Sequence, residues 1–141
     1  MIVLDTNVVS ETLKPAPQPE VLAWLDAQEP RTLFLTTINV AELLAGVAVL
    51  PMAHRRRELQ RALDEQVLPL FLDRVLAFDE RAARAYARVH AGAQVAGRPV
   101  SFADAAIAAI ALAHGYSIAT RNLADFEGSG VPLIDPWQAR V

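Results

Sequence analysis

The hydrophobic positions of the chain fall into short apolar runs rich in β-branched residues, each followed by a longer stretch with helical spacing. Ile2-Val3-Leu4 is the first run, and apolar character without alternation marks a strand covered on both faces. Asp5-Thr6-Asn7 ends it, and Val8 to Leu13 forms a short helix that Pro15 and Pro17 stop. Pro19-Glu20 starts the next helix, in which Val21, Leu22, Trp24 and Leu25 share one face. Leu33-Phe34-Leu35-Thr36 is a second buried strand. From Ile38 to about Leu50 the run is too long for a strand and lacks polar alternation, which predicts a nearly fully buried helix closed by Pro51.

The second half repeats the order. His54 to Val67 carries Arg55, Glu58, Arg61 and Glu65 in alternating sign and reads as a solvated helix. Val75-Leu76-Ala77-Phe78 is the third strand, and Asp79 caps a helix from Glu80 to about Val95 with Ala83, Tyr86, Ala87 and His90 on its apolar face. Gly97 and Pro99 break the chain before Ser101 opens an Ala-rich helix that ends at His114-Gly115, where glycine suits a left-handed cap. Tyr116 to Thr120 is the fourth strand, Asn122 to Phe126 a turn or single helical turn, and Val131 to Ile134 a short fifth strand at a sheet edge. Strands alternating with helices require crossover connections, so the fold class is α/β. One domain over residues 1–141 holds a mostly parallel sheet of about five strands with helices on both faces.

Composition narrows the chemistry. The 141 residues carry 16 acids against 13 bases, a formal charge of −3 that argues against a passive polycation holding nucleic acid by bulk charge. There is no Cys, so disulfides, zinc-thiolate sites, iron–sulfur clusters and thiol catalysis drop out. The N-terminus has no positive region ahead of its short apolar run, which argues against a signal peptide. The apolar stretch Ala103 to Ala113 contains Asp104 and is too short to span a bilayer, so a cytoplasmic protein without membrane association is expected.

In an open parallel sheet, ligands bind beyond the carboxyl ends of the strands. Asp5 stands at that end of the first strand and Thr120-Arg121-Asn122 at that end of the fourth, although Asp and Asn are also ordinary strand-ending residues. Glu42 lies among Val40, Ala41, Leu43, Leu44 and Val47, where a buried carboxylate would have to be protonated, paired with a base such as Arg121, or bound to a metal. Asp104 fits a capping box with Ser101, yet its neighbours Phe102, Ala103, Ala105 and Ala106 suggest a buried helix N-terminus. Three such carboxylates can approach one another only with cations between them. Hard ions with oxygen ligands, Mg²⁺ or Mn²⁺, suit that task, and phosphoryl transfer is the chemistry they usually serve.

Four motifs in order resemble the PIN-domain ribonucleases, and more narrowly the VapC toxins with their FitB-like branch: Leu4-Asp5-Thr6-Asn7, Asn39-Val40-Ala41-Glu42-Leu43, Asp104-Ala105-Ala106-Ile107-Ala108, and Ala119-Thr120-Arg121-Asn122-Leu123-Ala124-Asp125-Phe126. The resemblance runs from Met1 to Pro136. It implies a Mg²⁺- or Mn²⁺-dependent endoribonuclease toxin that cleaves structured RNA, forms a homodimer, and is silenced by a cognate VapB-like antitoxin. It assigns Asp5, Glu42 and Asp104 as central acidic ligands, Thr6 and Asn7 as residues orienting the first carboxylate, and Thr120 as a hydroxyl beside the site. Many relatives have Asp where this chain has Asn122, so Asn122 or Asp125 would complete the catalytic set.

Two rivals remain from other classes. A haloacid-dehalogenase-type phosphatase also opens with a strand and Asp, but it needs a second Asp two residues on, where this chain has Asn7. A non-catalytic, PIN-like oligomeric binding module would keep its acids for packing or for a partner's Arg. Arg55-Arg56-Arg57 with Arg61 is the candidate for RNA phosphate contact, and Arg121 for a ligating carboxylate or phosphate. The bland alternative for the Arg cluster is a solvated face paired with Glu58 and Glu65. Trp24, Phe34, Phe71 and Phe78 read as core, and His54, His90 and His114 have no metal-ligand spacing.

Overall fold

Strands that are apolar on both faces need cover on both sides, and a computed structural model describing residues 1–138 has that arrangement. The strands are β1 (Ile2–Leu4), β2 (Leu33–Thr36), β3 (Val75–Leu76), β4 (Ser117–Ala119) and β5 (Leu133–Ile134), in the spatial order β3-β2-β1-β4-β5. All four neighbouring pairs are parallel. Val3 stands opposite Phe34 on one side and Ile118 on the other. Because side chains alternate across a strand, Val3, Phe34 and Ile118 enter one core layer while Leu4, Leu33, Leu35 and Ala119 enter the other.

The helices divide between these layers. Helices α1 (Thr6–Thr12), α2 (Pro19–Asp26) and α3 (Thr37–Ala48) pack Val8, Val21, Trp24 and Leu43 on the Leu4 side, joined by Leu63, Val67 and Phe71 from beyond α4 (Ala53–Ala62). Helices α5 (Glu80–Val95), α6 (Phe102–His114) and α7 (Leu123–Phe126) cover the Val3 side with Val89, Ile107, Ala108, Ala111 and Phe126. Every residue of α6 from Ala105 to Ala111 is buried, and its small side chains let sheet and α5 approach closely. Gly115 ends α6 in the left-handed conformation at φ 71°, as expected from its position. Among the described residues no helix is long and apolar enough to cross a membrane.

Several details depart from the pattern. Only part of α3 is buried: Asn39, Leu43 and Val47 face inward, while Ala41, Glu42, Ala45, Gly46 and Ala48 are exposed. Small residues count as apolar in a pattern but lose little by facing water. In α5 the buried residues are Ala82, Ala85 and Val89, and the expected Ala83, Ala87 and His90 lie outside. Alanines on every side of that helix allow two registers, and only packing chooses. The helix expected from His54 to Val67 stops at Ala62 and continues as a π-helical turn, Leu63–Val67, then a 3₁₀ turn, Leu68–Phe71. That change of pitch swings Leu63, Val67 and Phe71 into the core.

Candidate active site

The central strand β1 ends at Asp5, whose backbone N–H donates to the Ala119 carbonyl at 2.9 Å and so extends the ladder to β4. Asp5 is the N-cap of α1 and is 5% exposed. Its Oδ1 accepts the Thr6 backbone N–H at 2.8 Å; its Oδ2 accepts the Thr120 hydroxyl at 2.8 Å and Asn7 Nδ2 at 3.3 Å. Burial raises its pKa above the ordinary carboxylate value against the pull of the Thr120 and Thr6 bonds, and the charges of Glu42 and Asp125 raise it further. Fully buried Thr120 has its proton committed to Asp5, while its oxygen accepts the Asn122 N–H at 3.0 Å.

Glu42 is not buried. It sits on the exposed side of α3, and its Oε1 accepts the Thr6 hydroxyl at 2.6 Å. Thr6 therefore serves two carboxylates, Asp5 through its backbone and Glu42 through its side chain. The Thr6 hydroxyl oxygen also accepts Asn39 Nδ2 at 3.1 Å, which fixes the direction of its proton toward Glu42. Asn39 is fully buried and forms a capping box with Thr36: Asn39 N–H donates to Thr36 Oγ1 at 3.1 Å, and Thr36 N–H donates to Asn39 Oδ1 at 2.9 Å. Sequence reasoning assigned no role to Thr36 or Asn39. The signal was present, because a Thr followed three residues later by a side-chain acceptor is the spacing of a capping box.

Asp104 lies in the first turn of α6, where its N–H donates to Ser101 Oγ at 3.1 Å. The α6 N-terminus is at the surface, contrary to expectation: Ser101 is exposed, Phe102 is 58% exposed, and Asp104 is half-buried. Phe102 nevertheless has company, since it packs edge-on against Phe78 and beside Tyr86. The Asp104 pKa is pushed up to about 6, first by burial and then by the negative charge of Asp5, with Asp125 and Glu42 adding to it against a hydrogen bond to Ser101.

Asp5, Glu42, Asp104 and Asn122 line one open pocket of about 330 Å³ at the carboxyl edge of the sheet, together with Thr6, Asn7 and Ser10. Asp125, on α7, is felt electrostatically by both Asp5 and Asp104 but lines a separate small cleft with Arg98 and Glu127 instead. Among the described residues, no three acidic or imidazole side chains are gathered tightly enough to hold an ion as they stand. The donor set still fits a hard divalent cation, being made of oxygens alone, with carboxylates whose pKa values are raised first by burial and then by one another's charge, both of which such a cation offsets.

The basic residues separate. Arg121 does not pair with Glu42; it is exposed, with its guanidinium carbon 5.2 Å from the Trp137 ring centroid, because the turn after β4 directs it outward. Its backbone N–H donates to Asn7 Oδ1 at 3.4 Å. In α4, Arg56 donates to the carbonyl of Leu50, in the turn after α3, at 2.8 Å, Arg55 lines a groove beside Glu42, and Arg57 and Arg61 are exposed. The expected pairing with Glu58 and Glu65 is absent among the described residues, where Glu58 has only His54, at 3.6 Å. Asn7 spends its amide on Asp5 and Thr120, where a dehalogenase-type phosphatase would place an acid.

Comparison with known proteins gives this geometry its context. The PIN domain family matches residues 2–127. The VapC ribonuclease Y4jK of Sinorhizobium fredii is 49% identical over 98% of this chain and 99% of its own, and the toxin FitB of Neisseria gonorrhoeae is 42% identical over 97% and 99%. The crystal structure of FitAcB from Neisseria gonorrhoeae superposes with a TM-score of 0.94 at 41% identity, covering 99% of this chain and all of that one. With the family model spanning residues 2–127 and these relatives covered almost end to end, the chain belongs to the PIN-domain family, among relatives of the VapC and FitB toxins.

Proposed function

We propose that this protein is a toxin-type endoribonuclease that hydrolyses RNA phosphodiester bonds in a Mg²⁺- or Mn²⁺-dependent manner. The observation that carries the reading is the convergence of Asp5, Glu42 and Asp104, with Asn122, on one open pocket at the carboxyl edge of the sheet. The similarity to a VapC ribonuclease supports the substrate. Asp5, Glu42 and Asp104 would hold the metal, and Asn122 is better placed than Asp125 to complete the set. When bound, a divalent ion supplies Lewis acidity toward a phosphate and lowers the pKa of a water.

The chain's own residues prepare that chemistry. Asn7, Thr120 and the Thr6 N–H present Asp5 in one orientation. The Thr36–Asn39–Thr6 relay does the same for Glu42. Asp104, titrating near pH 6, is ionised at neutral pH and protonated in mild acid, so metal affinity and activity should fall together below that value. FitB is known in complex with its partner FitA, and by analogy a small antitoxin would cover this pocket in a cytoplasmic homodimer.

The test is purified protein incubated with total RNA, with Mg²⁺ and with chelator, beside Asp5→Asn. Cleavage that requires Mg²⁺ and the aspartate is expected. Equal cleavage by wild type and variant would remove the assignment, and failure to bind Mn²⁺ by calorimetry would favour the non-catalytic binding module.

A further inference from the structure

The acidic pocket presents a problem for its proposed substrate, because an RNA strand brings phosphates to a group of carboxylates. Metal neutralises the centre, but the phosphates on either side of the scissile bond need their own counter-charge. Two basic residues neighbour the pocket: Arg121, whose backbone N–H donates to the pocket residue Asn7, and Arg55, in the groove beside Glu42. The strand order β2-β1-β4 places Glu42, which follows β2, and Thr120, which ends β4, on opposite sides of Asp5, with about 4.8 Å between adjacent strands. Arg121 belongs to the β4 side. Arg55 belongs to the Glu42 side, where it lines a groove of about 290 Å³ that shares Ser10 and Glu42 with the acidic pocket.

Neither Arg forms an ion pair among the described residues. Arg121 is held by the Trp137 ring, which leaves its donors available, and the carboxylate that feels its charge, Glu11, already accepts Lys14 Nζ at 3.0 Å and the Gln18 N–H at 3.1 Å. An Arg held over an aromatic face has fewer side-chain conformers to lose, and its guanidinium fork can still meet a phosphate in bidentate fashion. Arg55 shares its groove with Leu13, Leu50 and Leu59, apolar surface on which a nucleobase can pack, and with Lys14, whose charge is already paired with Glu11. Arg57 and Arg61 are about 200° and 240° further round the helix and do not reach this groove.

We propose that an RNA strand crosses the pocket from the Arg121–Trp137 clamp to the Arg55 groove, and that these two arginines position the phosphates flanking the scissile bond. The proposal rests on the ribonuclease reading, so its test is a binding measurement that needs no cleavage. A fluorescently labelled 12-nucleotide single-stranded RNA is titrated with the full chain in chelator at several salt concentrations, with circular dichroism to verify folding. Arg121→Ala and Arg55→Ala should each weaken binding about 5–10-fold and each reduce the slope of log affinity against log salt by about 0.7. Arg57→Ala and Arg61→Ala should change affinity less than about twofold. Arg121→Lys should restore the salt slope but not the full affinity, because lysine keeps the charge and loses the planar face.

In the cleavage assay with Mg²⁺, Arg121→Ala should raise KM while leaving kcat within about twofold. Unchanged affinity and slope in both alanine variants would overturn the proposal, and so would equal losses from Arg57→Ala and Arg55→Ala, which would mean diffuse attraction. Wild-type protein that binds through these arginines but cleaves nothing with Mg²⁺ would instead sink the ribonuclease reading and leave the clamp standing.

Discussion

Asp5 and Asp104 face one pocket and both hold their protons more tightly than an ordinary carboxylate, yet their surroundings differ. Asp5 is almost fully buried, with donors on both oxygens from Thr6, Thr120 and Asn7. Asp104 is half-buried at the start of α6, where its backbone N–H is capped by Ser101. The first is oriented by the protein before any ligand arrives; the second is held in place by its helix and has its charge opposed first by burial and then by its neighbours. Pre-organisation is thus concentrated at the end of β1. The α6 corner holds electrostatic strain that a cation would relieve.

If that contrast is right, substitutions at the two corners should fail differently. Asp5→Asn should reduce cleavage by more than the roughly 10–100-fold that loss of a ligand's supporting partner costs, measured as initial rate on RNA at saturating Mg²⁺. Thr120→Val comes next: it leaves Asp5 short of a donor and the Asn122 N–H without its acceptor, so Mn²⁺ affinity by calorimetry should fall roughly 10-fold and stability by about 1–3 kcal/mol. Thr120→Ser should keep both, and if Thr120→Val also kept both, the wiring of Asp5 would not matter.

Asn39→Ala should act on Glu42 from a distance. It unhooks Thr6 and removes half of the α3 capping box, so stability should fall by about 1–2 kcal/mol in urea denaturation, with a loss of metal affinity smaller than for Thr120→Val. The smallest effect has the opposite sign. Because folding raises the Asp104 pKa from 3.8 to about 6, the metal-free folded chain binds this proton more tightly than the unfolded one and loses stability as pH rises through that interval. Asp104→Asn should therefore match wild type near pH 4 in chelator and exceed it by about 1 kcal/mol above pH 6, after discounting for solvent screening. The same substitution should impair cleavage. A wild-type protein as stable as the variant at pH 7 would show that no strain is stored at α6.

Much of the fold was legible from short-range pattern. The apolar runs at Ile2, Leu33 and Tyr116 became the three central strands, because a strand covered on both faces has a composition that few other elements share. Asp79, Ser101 and Gly115 marked helix ends correctly, since caps depend on local backbone geometry. The Ala-rich helices were harder. Alanine is compatible with core and surface alike, so the buried face of α5 and the open face of α3 could not be read from residue type. Glu42 was misplaced for that reason: its neighbours looked like a core when several of them faced water. The carboxylate pairing considered for Arg121 does not form, and its neighbour Trp137, 16 positions away along the chain and on a different segment, could not be read from local pattern.

The formal charge of −3 can now be divided. If Asp5, Glu42 and Asp104 are set aside as the metal site, thirteen of the 16 acids remain against 13 bases, and the rest of the molecule is formally neutral. The sequence by itself determined the α/β order, the caps, and the residue types able to hold a hard cation, because each depends on groups within a few positions of one another. Tertiary structure decided which of those residues meet. Asp5 and Thr120 are 115 positions apart in the chain and 2.8 Å apart in space because β1 and β4 are neighbours in the sheet. Only that adjacency turns scattered acids and hydroxyls into one pocket, and only packing distinguishes Arg55, beside the pocket, from Arg57, on the far side of the same helix.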